Sequence, residues 1–258
     1  MRTDALVALT AICVVLVPAV VYLLLRWKTA LRTMPMTTWL GIYAVAAALF
    51  AILLPRKHWE AALIRAYPAN YLAWLAAQMN NSFWEELGKL LALALFVALS
   101  GPLLHELLRS HREATALGYW AGLTYGVGEA ITLALLFINP SWSSVFGMNT
   151  FMPYLVGWGY VFERFWAIQL HGVMGSLIGI GLFSFYGKGR RVELLIYFVV
   201  AMLYHEFVDG MVITLQFLPQ LAATIQPFLV LLVPVDVAIG CLLLLFAYRW
   251  SSVKGEPA

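Results

Sequence analysis

The sequence predicts an all-α, polytopic transmembrane helical bundle, because both its composition and the length of its apolar segments fit a bilayer. Of its 258 residues, 63% are hydrophobic and 11% are charged, whereas soluble domains are about half apolar and about a quarter charged. A helix needs roughly 20 residues to cross the hydrocarbon layer, so this length allows about six to eight spans. We therefore predict one integral domain over residues 1–258, multi-pass in the cell membrane, with no nucleic-acid partner.

About seven segments are apolar enough to be spans. In chain order they cover Ala5–Leu25, Trp39–Leu54, Ala77–Leu104, Ala116–Ile138, Val161–Tyr186, Leu194–Leu218 and Phe228–Trp250. The first is too long for a signal-peptide core and lacks an obvious small-residue cleavage site, so we expect it to be retained. Pro55–Asn70, between the second and third spans, is a candidate interfacial helix.

The basic residues of the loops predict the orientation. If the spans alternate in direction, one side of the membrane receives ten Lys and Arg residues and the other receives four. The positive-inside rule makes the richer side cytoplasmic, with the N-terminus outside and the C-terminus inside. The two remaining basic residues, Lys89 and Arg164, lie within predicted spans, where a charged side chain is costly and therefore indicates a function.

Carboxylates and imidazoles occur within the third to sixth predicted spans. Counted from the cytoplasmic ends, Glu86, Glu129, His171 and His205 lie roughly 12 to 18 residues deep, so four helices bring them to one layer in the outer half of the bilayer. Stripes of small residues on two of these helices allow close packing of their backbones. The stripes are Gly118, Gly122 and Gly126 on the fourth span, and Gly172, Ser176 and Gly179 on the fifth.

This set of side chains favours a metal site. Two histidines and a carboxylate are a known catalytic zinc set that leaves one coordination position open for water or a substrate carbonyl. We assign His171, His205 and Glu129 as ligands of a divalent metal, with Zn²⁺ as the expected ion. A glutamate beside the metal can take a proton from water, and Glu85 and Glu86 are both candidates for this general base.

Helical spacing predicts the roles of the remaining charged residues. Glu85 and Lys89 are four residues apart in the favourable order for an ion pair, which leaves Glu86 free. Arg164 is placed to stabilise a developing oxyanion. Asp209, one turn after His205, is near enough to orient a neighbouring group.

Four motifs in this order resemble those of the YhfC-type intramembrane metalloproteases. They are Glu85-Glu86-Leu-Gly-Lys89, Tyr125-Gly-Val-Gly-Glu129, Glu163-Arg164 followed by His171, and His205-Glu-Phe-Val-Asp209. More distantly, the chain is similar to PrsW proteases and to the wider CAAX-processing and bacteriocin-immunity protease clan. The similarity covers roughly Asn80 to Gly210.

The resemblance implies a protease core over about residues 77–218. In it the paired glutamates would supply the base, and the other three motifs would supply metal or oxyanion ligands. The second motif ends in Glu129, whereas the CAAX-processing branch has His there. This departure favours the PrsW-like side, and hence a membrane-anchored protein or peptide substrate cut outside the cytoplasm.

Two functions of other classes also fit these residues. Buried Asp, Glu and His side chains form proton relays in transporters, so a proton- or cation-coupled transporter is the main alternative. A non-catalytic immunity or scaffold protein that has kept an old site is the other. Wild-type function retained by the His171→Ala and Glu86→Gln variants would select this non-catalytic class.

Overall fold

The computed structural model describes residues 3–28, 30–100, 106–108, 110–139 and 157–221, together with positions 223–224, 234–235, 237–238, 240 and 242. Helices and short turns make up this part of the chain, as the sequence predicts. The helices are α1 (Thr3–Leu9), α2 (Val17–Lys28), α3 (Met36–Ile52), α4 (Lys57–Ala66), α5 (Tyr71–Ser100), α6 (His111–Ile138), α7 (Trp158–Lys188) and α8 (Arg191–Phe217).

Four helical stretches are long and apolar enough to cross a bilayer. They are Asp4–Trp27, Met36–Ala66, Trp158–Lys188 and Arg191–Leu215, which correspond to the first, second, fifth and sixth predicted spans. The prediction of an all-helical chain with helices of membrane-spanning length is therefore confirmed. The third and fourth predicted spans lie on α5 and α6, while the predicted seventh span, Phe228–Trp250, falls almost wholly outside the described residues.

A π-helical segment, Thr10–Leu16, joins α1 to α2. The amide of Val17 donates to the carbonyl of Ile12, five residues back. Pro18 follows immediately, and its ring excludes the ordinary bond to the carbonyl four residues earlier. The wider turn accommodates the proline without ending the helix.

The segment Pro55–Asn70 contains the predicted additional helix. Pro55 lies in a short 3₁₀ turn, Leu54–Arg56, where its fixed backbone angle is favourable, and α4 begins at the next residue. α4 packs against α5. Its polar side chains face α5, because Glu60 accepts a hydrogen bond from Asn80 (3.2 Å) and Lys57 donates to Asn81 (2.5 Å).

α6 and α7 pack together through glycines along most of their length. A Cβ atom at Gly118 would lie 2.2 Å from the carbonyl oxygen of Gly175, and one at Gly122 would lie 2.0 Å from that of His171. Nothing larger than hydrogen fits at either position. The predicted stripe on α6 is confirmed at Gly118, Gly122 and Gly126, and the stripe on α7 is confirmed at Gly179. Gly175, which was not predicted, makes a further close contact, whereas Gly172 meets the ring of Tyr119.

An aromatic core joins this pair to α3 and the N-terminal helices. Trp39 and Trp120 pack edge to face with ring centroids 5.2 Å apart, and the Trp120 indole donates to the Trp39 carbonyl (3.1 Å). The Tyr43 hydroxyl donates to the carbonyl of Val14 in the π-helical segment (3.0 Å). The Trp120 indole is buried and the Tyr43 hydroxyl is half-buried, and their hydrogen bonds satisfy both donors within apolar surroundings.

Candidate metal centre

Buried acids and histidines meet where four helices converge, near the middle of each helix. α5 contributes Glu85 and Glu86, α7 contributes His171, and α8 contributes His205, all almost inaccessible to solvent. Glu129 of α6 reaches the same group of side chains through His171. The structure thus brings together the four side chains that the sequence places at one depth.

Three donor atoms at this point have the arrangement of a metal site. Glu85, His171 and His205 each offer one ligand atom, and these atoms lie within 4.8 Å of one another. Glu85 Oε2 is 3.6 Å from His205 Nε2 and 4.0 Å from His171 Nε2. Tetrahedral zinc, with bonds of about 2.0–2.1 Å, places its ligand atoms about 3.4 Å apart. Small side-chain rotations would therefore allow all three groups to bind one ion.

The carboxylate of Glu85 has one satisfied and one unsatisfied oxygen. Arg56, at the start of α4, donates to Oε1 (3.0 Å), while the buried Oε2 has no hydrogen-bond partner. Buried polar atoms are normally paired, so an unpaired carboxylate oxygen beside two imidazole nitrogens is a candidate ligand for a cation. The three residues present therefore fit a divalent metal.

His205 is oriented by a carboxylate, as metal-binding histidines usually are. Its Nδ1 donates to Glu86 Oε1 (2.8 Å), which leaves Nε2 between Glu85 Oε2 (3.6 Å) and Asp209 Oδ2 (3.5 Å). The same Glu86 oxygen accepts a hydrogen bond from Lys89 (2.5 Å), and both residues are completely buried. Glu86 thus holds the ring of His205 while Lys89 compensates its charge.

The predicted ion pair of Glu85 with Lys89 is wrong. Lys89 reaches back three residues to Glu86, and Glu85 is paired instead with Arg56. The reason is tertiary, because the turn Leu54–Arg56 before α4 brings the Arg56 guanidinium onto Glu85 from outside α5. Helical spacing alone could not have revealed that competitor.

Glu129 lies beside the same ring nitrogen of His171 that faces Glu85, and Arg164 lies next to Glu129. Glu129 Oε2 is 2.8 Å from His171 Nε2 and 3.0 Å from Arg164 Nη1. Arg164 also forms a hydrogen-bonded pair with Glu163. The structure therefore groups Glu85, rather than the predicted Glu129, with the two histidines, and shows Glu129 between one histidine and the arginine.

Asp209 lies on the more open side of the site. Its Oδ2 is 3.5 Å from His205 Nε2 and accepts a hydrogen bond from Gln78 (2.5 Å), and 37% of its side chain is exposed. All seven predicted site residues are thus in or beside one cluster.

Two polar features escaped the sequence analysis. Arg56 was counted among the loop residues, although it bonds to both Asn81 and Glu85. The polar positions of α5 recur with helical spacing and form one continuous face, which was the available signal. They are Gln78, Asn81, Ser82, Glu85 and Lys89.

Comparison with known proteins finds no relative of this chain. No protein-family model, no curated protein and no solved structure matches the chain. The resemblance to the YhfC-type metalloproteases therefore stays an expectation drawn from its four motifs.

Proposed function

We propose that this chain is a metal-dependent intramembrane endopeptidase that hydrolyses a peptide bond of a membrane-anchored protein or peptide. The observation that carries the proposal is the convergence of Glu85, His171 and His205, with one Glu85 oxygen buried and unpaired. We infer further that the ion is Zn²⁺, since two imidazoles and a carboxylate are a common zinc set.

The same proposal includes the membrane topology. α5 and α6 contain 30 and 28 residues, which is long enough to cross the hydrocarbon layer beside the four more apolar stretches. Their polar residues face inward, as expected for functional intramembrane groups. With the predicted seventh span and the bias of basic residues, the N-terminus would lie outside, the C-terminus in the cytoplasm, and the site in the outer half of the cell membrane.

In this proposal, the contacts give the site residues different chemical roles from those that the sequence predicts. Glu85 acts as the third ligand, and Glu86 orients His205 instead of serving as the base. Glu129 and Asp209 are then the carboxylates close enough to accept a proton from water and pass it to the leaving nitrogen as the carbon–nitrogen bond breaks. A divalent metal held there supplies a Lewis acid and an activated water. Arg164 stabilises negative charge at the Glu129 side.

Metal analysis of the purified full-length protein tests this assignment. We expect about one zinc per chain, lost in the His171→Ala and His205→Ala variants and retained in His58→Ala, whose histidine lies on α4. Glu85→Gln should also lose the metal and abolish cleavage of a membrane-anchored peptide library. A metal-free wild type whose thermal stability is unchanged by a chelator would overturn the proposal.

A coupled transporter is the second candidate, favoured by one specific observation. Lys89, Glu86, His205 and Asp209 form a continuous chain of ionisable contacts between α5 and α8, and such chains conduct protons in transporters. Proton flux into liposomes that is abolished by Glu86→Gln, from a protein that binds no metal, would select this function over hydrolysis.

A further inference from the structure

An open groove runs between α5 and α8, beside the metal centre. Its volume is about 520 Å³, within the range of small-ligand pockets. The lining is largely apolar, with Leu75 and Met79 from α5 and Phe207 and Met211 from α8. Glu206 is the one carboxylate among the lining residues.

Glu206 has an oxygen to offer a ligand. Its Oε2 accepts a hydrogen bond from Ser82 (3.1 Å), whereas Oε1 lies near Gly210, 3.7 Å from where a Cβ atom would be. Within the described part of the chain, no Lys, Arg or His forms an ion pair with it. A half-buried carboxylate without a cation, in the middle of a helix of membrane-spanning length, is costly. A cationic group from outside the chain would remove that cost.

We propose that this groove binds an apolar segment of the substrate that carries a lysine or arginine side chain opposite Glu206. The apolar lining fits the segment, and the single acid fits its cation. This inference rests on the proposed peptidase function and adds a substrate preference to it.

The groove is correctly placed for such a role. Glu206 follows His205 directly in α8, and Asp209, one turn further on, is 3.5 Å from His205 Nε2. The hydrogen bonds from Ser82 to Glu206 and from Gln78 to Asp209 lie along the same α5–α8 contact. The groove residues Glu206 and Gly210 each follow a residue of the site, His205 and Asp209, by one position in α8, so the groove borders the site along this helix.

Two designed peptides test the proposal. Each is a leucine–alanine transmembrane peptide with a terminal fluorophore, and they differ only in a central lysine or norleucine. Binding to the full-length protein in phosphatidylcholine vesicles is measured by energy transfer. We expect the lysine peptide to bind at least tenfold more tightly, and Glu206→Gln to remove that difference.

A second variant fills the groove. The nearest atoms to a Cβ at Gly210 are 3.6–3.7 Å away, which is ordinary contact, so a side chain can begin at this position, and Gly210→Leu is designed to extend from it into the groove. We expect it to weaken binding of both peptides at least tenfold. Gly159→Leu is the matched control, because a Cβ there has nothing within 4 Å.

Equal binding of the two peptides to the wild type, or a lysine preference that survives Glu206→Gln, would overturn the inference. So would competition by phosphatidylethanolamine that depends on Glu206, because the occupant would then be a lipid amine. Metal content separates this result from the proposed function. Loss of the lysine preference in a Glu206→Gln protein that retains its metal supports the groove, while a metal-free wild type overturns the peptidase whatever the peptides do.

Discussion

The two helix pairs that form the centre are joined in opposite ways. Between α6 and α7 the backbones touch, so that a Cβ atom at Gly122 would lie 2.0 Å from a carbonyl oxygen. Between α5 and α8 the contact is made by polar side chains together with aromatic pairs such as Phe83 and Phe198, and it is interrupted by a groove. The first pair fixes His171 by steric fit, whereas the second places Glu85, Glu86 and His205 by hydrogen bonds and charge.

The α6–α7 pair therefore provides rigidity, whereas the α5–α8 pair leaves space beside the cluster. Glycine contacts allow no adjustment, since any added atom overlaps backbone, and they hold one metal-ligand candidate at a set depth. The polar contacts between α5 and α8 leave an open groove while still orienting the other candidate ligands. The variants below test each pair separately, each beside a matched control.

Loss of Lys89 should have the largest effect, because its ammonium compensates the buried Glu86 beside His205. Lys89→Met removes the charge at similar volume, and breaking a buried ion pair of this kind costs about 3–5 kcal/mol. The exposed Lys188→Met, measured by the same denaturant titration in micelles, should change the free energy of unfolding by less than about 0.5 kcal/mol. The double variant Lys89→Met with Glu86→Gln should recover most of the loss, and failure to recover it would contradict the pairing.

A methyl group in the α6–α7 contact should have the next largest effect. Gly122→Ala should lower the free energy of unfolding by about 1–3 kcal/mol, as overpacking does in rigid interiors. The same substitution at Gly210, on the α5–α8 groove, meets no atom closer than 3.6 Å and should be neutral. Equal effects at the two positions would show that the pairs are not packed differently.

The orienting role of Glu86 predicts a change in metal affinity without loss of the site. Glu86→Gln keeps a side chain of the same shape but weakens its hold on His205 Nδ1. Changes of this kind typically reduce metal affinity about 10–100-fold, which competition with a chromogenic chelator measures. Glu193→Gln, near the start of the same α8 helix, should bind metal as the wild type does. Complete loss of metal from Glu86→Gln would instead make Glu86 a ligand.

Much of the helical fold could be predicted because apolar length and the spacing of small residues are local properties. Six predicted spans coincide with helices, and the stripe at Gly118 and Gly122 makes the close contact expected of it. Helix ends were less predictable. α5 begins at Tyr71, six residues before the predicted Ala77. The residues around Gln78 are helical, but their polar side chains lower the local hydropathy from which the start of the span was predicted.

The sequence predicts which residues belong to the site, but it does not predict which of them pair with one another. Carboxylates and histidines stand out within apolar segments because placing them in lipid costs free energy. Glu129, His171 and His205 could therefore be selected from the sequence alone. The carboxylate that joins the two histidines is determined by the position of Arg56, in the turn before α4. Helical spacing within α5 contains no information about that position. Glu206 could not be singled out from the sequence for the same reason, since its groove exists only once α5 and α8 are packed.

The smallest expected effect concerns the end of the polar α5–α8 contact. The Tyr71 and Thr214 hydroxyls are hydrogen-bonded (2.8 Å) at the mouth of the groove. Tyr71→Phe should destabilise the protein by about 0.6 kcal/mol, the mean for interhelical hydrogen bonds in membranes, with Tyr67→Phe as the exposed control. If α5 and α8 are held by the sum of such bonds, Tyr71→Phe combined with Ser82→Ala should cost the sum of the two single effects. A combined loss well above that sum would show instead that α5 and α8 separate cooperatively once the mouth of the groove is opened.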